Sequence, residues 1–326
     1  MNTQQILKAL DGIQEQVEIL RKLVTPEEKE KEKEKPKPEK KAAKPPQSGK
    51  LPKRSVAISL PTPKLVPAPD WRVDEWPEAV PEHLIVTEDA PETEKQYRAV
   101  QIVNMVGTNL AGKKILDFGC GSGYTTLEFD SRDTSKVVGY DIKQFSEWGN
   151  SNVVFTTKKE DVRAKAPYDI IVLYDVLDHM VDEDPAKVLS WLKGLLVEDG
   201  YMFLRLHPWT ARHGGHSYEH TNKAYIHLLL TADELEKAGI PIMPCLRLNR
   251  PLAAYEAWIK FAGLKTVKRD IQLSTVEKFF SGDILRRIIQ INWAGKQPNE
   301  AALKILSNQF IDYTLEIDKS AKANGQ

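Results

Sequence analysis

The first apolar pattern along this 326-residue chain has a helical period. Ile6, Leu10, Ile13, Val17, Leu20 and Val24 recur at alternating steps of four and three, which is the seam of a short coiled coil over residues 1–25. Leu7, Ile19 and Leu23 widen that face beyond a two-stranded seam, so the segment is expected to join copies of the chain into a homo-oligomer. The plainer alternative is an amphipathic helix packed back on its own domain. Residues 26–70 alternate Lys with Glu and then fill with Pro and Lys. A stretch of that composition cannot bury a core and reads as a flexible, disordered linker.

From Trp71 the pattern changes to short apolar runs separated by amphipathic segments, the signature of a doubly wound α/β sheet. A helix is predicted at 93–110, with Ala99, Ile102, Val103, Val106 and Leu110 on one face. Strands follow at 114–118, 136–140, 152–156, 169–174 and 200–206, with a helix at 185–196 before the fifth. Thr231-Ala232-Asp233-Glu234 spells a capping box that opens a short helix. Later come a helix at 251–262, a strand at 264–273, a helix at 283–291 and a last strand at 309–315. Residues 240–250 read as a loop able to cover a pocket. The folded domain is expected to span 71–320, with a disordered tail at 321–326.

Charge and cysteines narrow the partners. Lys plus Arg equals Asp plus Glu at 46 each, so no global charge recruits nucleic acid or a membrane surface, and local nucleic-acid binding stays open. Two cysteines make no disulfide framework, which points to a reducing compartment. The N-terminus has no signal pattern and no apolar run approaches the ~20 residues of a membrane span. The expectation is a cytoplasmic protein.

The candidate chemistry starts where the first strand ends. Ile115-Leu116-Asp117-Phe118-Gly119-Cys120-Gly121-Ser122-Gly123 places a carboxylate before glycines at every second position, and a helix-compatible segment follows. Glycines let a backbone turn through positive φ and lie against a bound molecule. A nicotinamide or flavin site would place a third glycine where Tyr124 stands, and a tyrosine there prevents close helix–strand packing. Leu-Asp-x-Gly-Cys-Gly-x-Gly instead resembles the first motif of the class I S-adenosylmethionine-dependent methyltransferases.

That resemblance covers about 93–317, with a departure at 207–250, and implies a Rossmann-like seven-stranded sheet whose last strand is antiparallel. It also implies S-adenosylmethionine as cofactor, with Gly119, Gly121 and Gly123 against it and Asp117 facing its methionine amino group. Asp141, 18 residues after Gly123, takes the ribose-binding place at the end of the second strand. Asp161-Val162 takes the adenine place, with Glu160 as competitor. Tyr174 and Asp175, ahead of Val176-Leu177-Asp178-His179-Met180, line the methionine half and open onto the acceptor. The Asp/Asn-Pro-Pro-Tyr/Phe signature of base methylation is absent.

Five of the seven histidines lie in 207–227, beside aromatics, arginines and Gly214-Gly215, read as a hinge. Histidine suits proton removal from an oxygen or nitrogen acceptor, with His207 first and His213 and His216 behind it. A metal site from His213-x-x-His216-x-x-x-His220 and Glu219 matches no defensible ligand spacing and ranks below that reading. Loop histidines bonded to their neighbours are the bland third reading. Arg205 and Arg212 leave an anionic acceptor open. The sequence thus supports methyl transfer to O or N of a small molecule or sugar, with an oligomeric scaffold of the same fold as the alternative.

Overall fold

The computed structural model describes residues 64–81, 90–150, 153–180, 183–241, 252–274 and 279–320. The expected coiled-coil segment, most of the linker, the covering loop beyond residue 241 and the tail lie outside the described residues.

Seven strands form one sheet, β1 (Lys114–Phe118), β2 (Lys136–Tyr140), β3 (Val154–Thr156), β4 (Tyr168–Tyr174), β5 (Leu196–Leu206), β6 (Leu264–Leu273) and β7 (Asn308–Ile317). Their spatial order is β3-β2-β1-β4-β5-β7-β6, with β1 to β5 parallel and β7 antiparallel to both its neighbours. This is the doubly wound Rossmann-like arrangement the strand pattern predicts, with the late strand inserted beside the fifth.

Buried side chains on both faces explain why β1, β2 and β4 read as continuous apolar runs. One face carries Leu116, Val138 and Ile171 against α4 (Pro185–Lys193) and α7 (Leu252–Phe261). The other carries Ile115, Val137 and Val172 against α1 (Glu92–Val106) and α2 (Tyr124–Asp130). α1 stops at Val106, short of the predicted 110, because Gly107 departs from helical dihedrals. β5 starts earlier than Gly200, since the pairing register shifts between Tyr168 and Ile170 and lets Leu196 pair with Tyr168.

A third apolar cluster lies among α5 (Ile226–Leu229), α6 (Ala232–Lys237), α8 (Gly282–Trp293) and α9 (Asn299–Leu306). The helix α9 is absent from the sequence expectation. The capping box opening α6 is present, with Thr231 Oγ1 accepting from the Glu234 N–H. Segment 64–81 is strapped onto this cluster, upstream of Trp71 as well as after it. The Val66 N–H donates to Gln290 at 2.9 Å, Trp76 Nε1 donates to the Ala224 carbonyl at 3.0 Å, and Asn222 bonds both backbone groups of Val80. Arg287, 1% exposed, ties the carbonyls of Val66 and Leu229 to Glu234.

Candidate active site

Two of the clefts at the carboxyl ends of the parallel strands adjoin one another. The smaller, about 310 Å³, is lined by Gly119, Tyr140, Asp141, Asp175 and Val176 among others. The larger, about 780 Å³, gathers side chains from α1, β4, β5, the 207–218 loop and β7, with Ala79 to Pro81 of the strap as one wall. Two residues, Asp175 and His179, line both.

The glycine turn is a tight packing device. Gly119, at φ +83°, lies where a Cβ would stand 2.4 Å from Val176 Cγ2, so the turn and the end of β4 meet only without a side chain. Gly123, at φ +89°, similarly admits the Phe155 ring, on which Trp148 stacks at 5.1 Å. A Cβ on Gly121 would meet nothing within 4 Å, which leaves that side of the turn open. Asp141 supports the turn directly, accepting from the Gly121 N–H at 2.9 Å and the Lys143 N–H at 3.1 Å.

Asp117 is 3% exposed beneath this turn and accepts from Thr126 Oγ1 at 2.7 Å. Burial pushes its pKa up to about 6, opposed by the Thr126 hydrogen bond and helped by the Asp141 charge. Asp161 and Val162 are drawn away from both clefts into α3 (Lys159–Ala164). Asp161 accepts from Thr156 Oγ1 at 2.7 Å, and Val162 is fully buried with its N–H directed to Lys158 at 3.4 Å.

Tyr174 lies in the larger cleft, its hydroxyl accepting from Arg205 at 3.0 Å. Arg205 is held by both oxygens of Asp312 at 2.5 and 2.6 Å, with its side chain 4% exposed. Its charge is thus cancelled within the protein, contrary to the reading of Arg205 as an anion receptor. Arg212 spends one N–H on the Glu78 carbonyl.

The fold brings His207, His213 and His216 together and adds His179 from the turn after β4. Ring centroids lie 3.9 Å apart for His207–His213, 5.1 Å for His207–His216 and 4.8 Å for His179–His216. Burial and then neighbouring imidazoles push the pKa of His213 and of His216 down to about 3, and hold His207 well below its ordinary value. At neutral pH the cluster is uncharged. His207 Nε2 and His213 Nδ1 are buried without a hydrogen-bond partner among the described residues. His220 is exposed, and His227 bonds the Trp209 carbonyl at 2.8 Å. Gly214 and Gly215 are no hinge: a Cβ on either would stand 2.4–2.5 Å from Pro208 and Trp209 carbonyls or the His227 side chain, so they allow close packing of the loop.

Among the described residues, no group of three or more His, Cys, Asp or Glu side chains is arranged to hold a metal ion, and no helix is long and apolar enough to cross a membrane. Sequence reasoning missed Tyr97, Arg98, Gln309, Phe310 and the strap as parts of the larger cleft. The exposed Tyr97 in an otherwise polar helix face was the one local signal.

An open α/β sheet with a glycine turn after β1 and clefts outside the strand ends defines a ligand-binding enzyme fold. The family described as "Methyltransferase domain" matches residues 92–239. Over these residues the chain is similar to a methyltransferase domain, which supports the resemblance to the S-adenosylmethionine-dependent methyltransferases. A curated relative, the ubiquinone biosynthesis O-methyltransferase of Glaesserella parasuis, is 26% identical over 150 residues, covering 41% of this chain and 58% of its own length. Similar solved structures include a methyltransferase from Archaeoglobus fulgidus, with 13% identity, 68% of this chain and 93% of that one covered, and TM-score 0.43. Magnesium protoporphyrin IX methyltransferase from Synechocystis is another, with 15% identity, coverages of 72% and 88%, and TM-score 0.39.

Proposed function

We propose that the acceptor is an oxygen or nitrogen of a small molecule bound in the 780 Å³ cleft, and that the donor occupies the 310 Å³ cleft. The observation that carries this is the meeting of the two clefts at Asp175 and His179. Displacement at an activated methyl requires donor and acceptor in line, which adjoining clefts provide. The larger cleft falls within the range of small-molecule sites and is concave, which favours a compact acceptor over a macromolecular surface.

The residues fit the donor. Gly121 leaves the turn open, Asp141 retains acceptor capacity for ribose hydroxyls, and Gly119 lets the backbone approach closely. Asp117 supports the turn from beneath and reaches the donor only through it. S-adenosylmethionine supplies an electrophilic methyl group when bound, and the chain's own residues place the nucleophile and take its proton. A neutral imidazole with a free buried nitrogen, as at His207 Nε2, accepts a hydrogen bond from an O–H or N–H acceptor. Its low basicity suffices because the acceptor's proton becomes acidic as the new C–O or C–N bond forms. His213 and His216 orient it by packing around the His207 ring.

The relative from Glaesserella parasuis, an O-methyltransferase by name, supports an oxygen acceptor. Assembly through residues 1–25 belongs to the same proposal. The test is calorimetry with S-adenosylmethionine and S-adenosylhomocysteine on the wild type and Asp141→Ala, followed by transfer of labelled methyl to a panel of hydroxylated and amino compounds. Binding that Asp141→Ala weakens, with label transfer that His207→Asn reduces, is the expected result. Absence of binding by the wild type would overturn the donor assignment.

A further inference from the structure

Asp175 carries features that neither the fold nor the packing accounts for. Its backbone sits at φ +55° at the end of β4, a left-handed conformation uncommon outside glycine and best tolerated by Asn and Asp. The residue is half-buried, and its Oδ1 is fully buried with no hydrogen-bond partner among the described residues. Burial pushes its pKa up to about 6, against the pull of Arg205 and Arg98 and with the push of Asp312. Arg205 spends Nε and Nη2 on Asp312 and Nη1 on the Tyr174 hydroxyl. A buried carboxylate oxygen without a partner is costly unless one completes it. Among the described residues, Asp175 is the one carboxylate on the wall common to the two clefts.

Methyl transfer from one cleft to the other requires the reacting centre to lie at that wall. That centre is a sulfonium cation before transfer and a neutral thioether after it. We infer that Asp175 is the counter-charge to the cationic donor centre, and that it distinguishes the charged donor from the neutral product. The inference rests on the donor assignment above. Attraction between Asp175 and the donor vanishes once the methyl group leaves, so product release is favoured without any movement of the protein. Asp175 lines both clefts, and Gly119 gives the Val176 side chain beside it room to pack.

The test is calorimetry on the full chain with three ligands: S-adenosylmethionine, sinefungin, whose ammonium replaces the methylsulfonium, and S-adenosylhomocysteine. Asp175→Asn keeps the shape and tolerates the left-handed backbone. It is expected to weaken both cationic ligands by about tenfold or more while changing S-adenosylhomocysteine by less than about threefold. Retained binding of the neutral ligand shows that the variant is folded. Asp175→Glu, which keeps the charge, is expected to keep the cationic preference. Equal loss of all three ligands in Asp175→Asn, or no loss of any, overturns the inference and leaves the donor assignment standing. Failure of the wild type to bind any of the three overturns the donor assignment itself.

Discussion

The two clefts are built in different ways. The smaller one is made almost entirely from strand ends and the turns that leave them, Gly119 and Asp141 among them. The larger one draws on the strap at 79–81, α1, β4, β5, the histidine loop, Leu273 and Gln309-Phe310. Two of its walls therefore lie outside residues 92–239, where the family match ends. A site for a shared ligand is assembled locally on the sheet. A site for a particular ligand is assembled from whatever segments the domain adds around it, on loops that tolerate change.

Steric damage to the smaller cleft has the largest expected effect. Gly119→Val places a branched side chain at φ +83° against Val176 and should abolish S-adenosylhomocysteine binding. A stability loss of roughly 2–5 kcal/mol by urea denaturation is expected to accompany it. Next comes the floor of the larger cleft. Asp312→Asn removes the partner of Arg205, whose side chain is 4% exposed, and should cost about 3–5 kcal/mol by the same measurement, because a buried charge is left uncompensated. Retained affinity for S-adenosylhomocysteine in a variant so destabilised would show that the two clefts are energetically separate.

Acid should act chiefly on the larger cleft. His213 and His216 have pKa values pushed down to about 3, and His227 to about 4, from an unfolded value near 6.5. Below pH 6.5 the unfolded chain binds protons that the folded chain refuses. Stability is then lost as pH falls, until the folded histidines protonate near 3 to 4. Asp117 and Asp175, pushed up to about 6, work in the opposite sense: below about pH 6 the folded protein takes up protons first, down to their unfolded values. A urea midpoint that falls from pH 7 to pH 5 is expected, and His216→Asn should flatten that slope. A midpoint that rises would mean that the carboxylates outweigh the imidazoles.

A smaller and more selective effect is expected at the strap. Asn222→Ala removes both hydrogen bonds to Val80 and should cost about 1–3 kcal/mol. It should weaken acceptor binding while leaving S-adenosylhomocysteine affinity unchanged in calorimetry. Loss of both affinities would break the separation drawn between the clefts. Smallest of all is the edge strand, where Lys268 pairs with Asp270 at 2.5 Å in open solvent. Lys268→Ala should leave the melting temperature and both affinities unchanged, since exposed pairs contribute little.

The smaller cleft was largely legible in the chain because its geometry follows from short-range rules. Apolar runs buried on both faces mark parallel strands, and glycines at alternate positions mark a turn pressed against its neighbours. The carboxylate at the end of the second strand is placed by the strand itself. Local pattern did not show that Asp161 and Val162, just after β3, lie in a short helix over Lys159–Ala164.

In the histidine loop, residue types alone showed that something unusual follows β5, and placed His207, His213 and His216 as neighbours in sequence. Their contact with His179, 28 positions before His207, depends on β4 and β5 lying side by side. Arg205 looked like a free cation until Asp312, 107 residues away, came to lie opposite it across the β5–β7 ladder. The local alphabet therefore specified the strands and the turn, because those depend on periodicity and on what a backbone without Cβ can do. Which charges are cancelled, which imidazoles are kept neutral and which carboxylate stands between the clefts are matters of burial and long-range pairing, and these exist only once the sheet has closed around them.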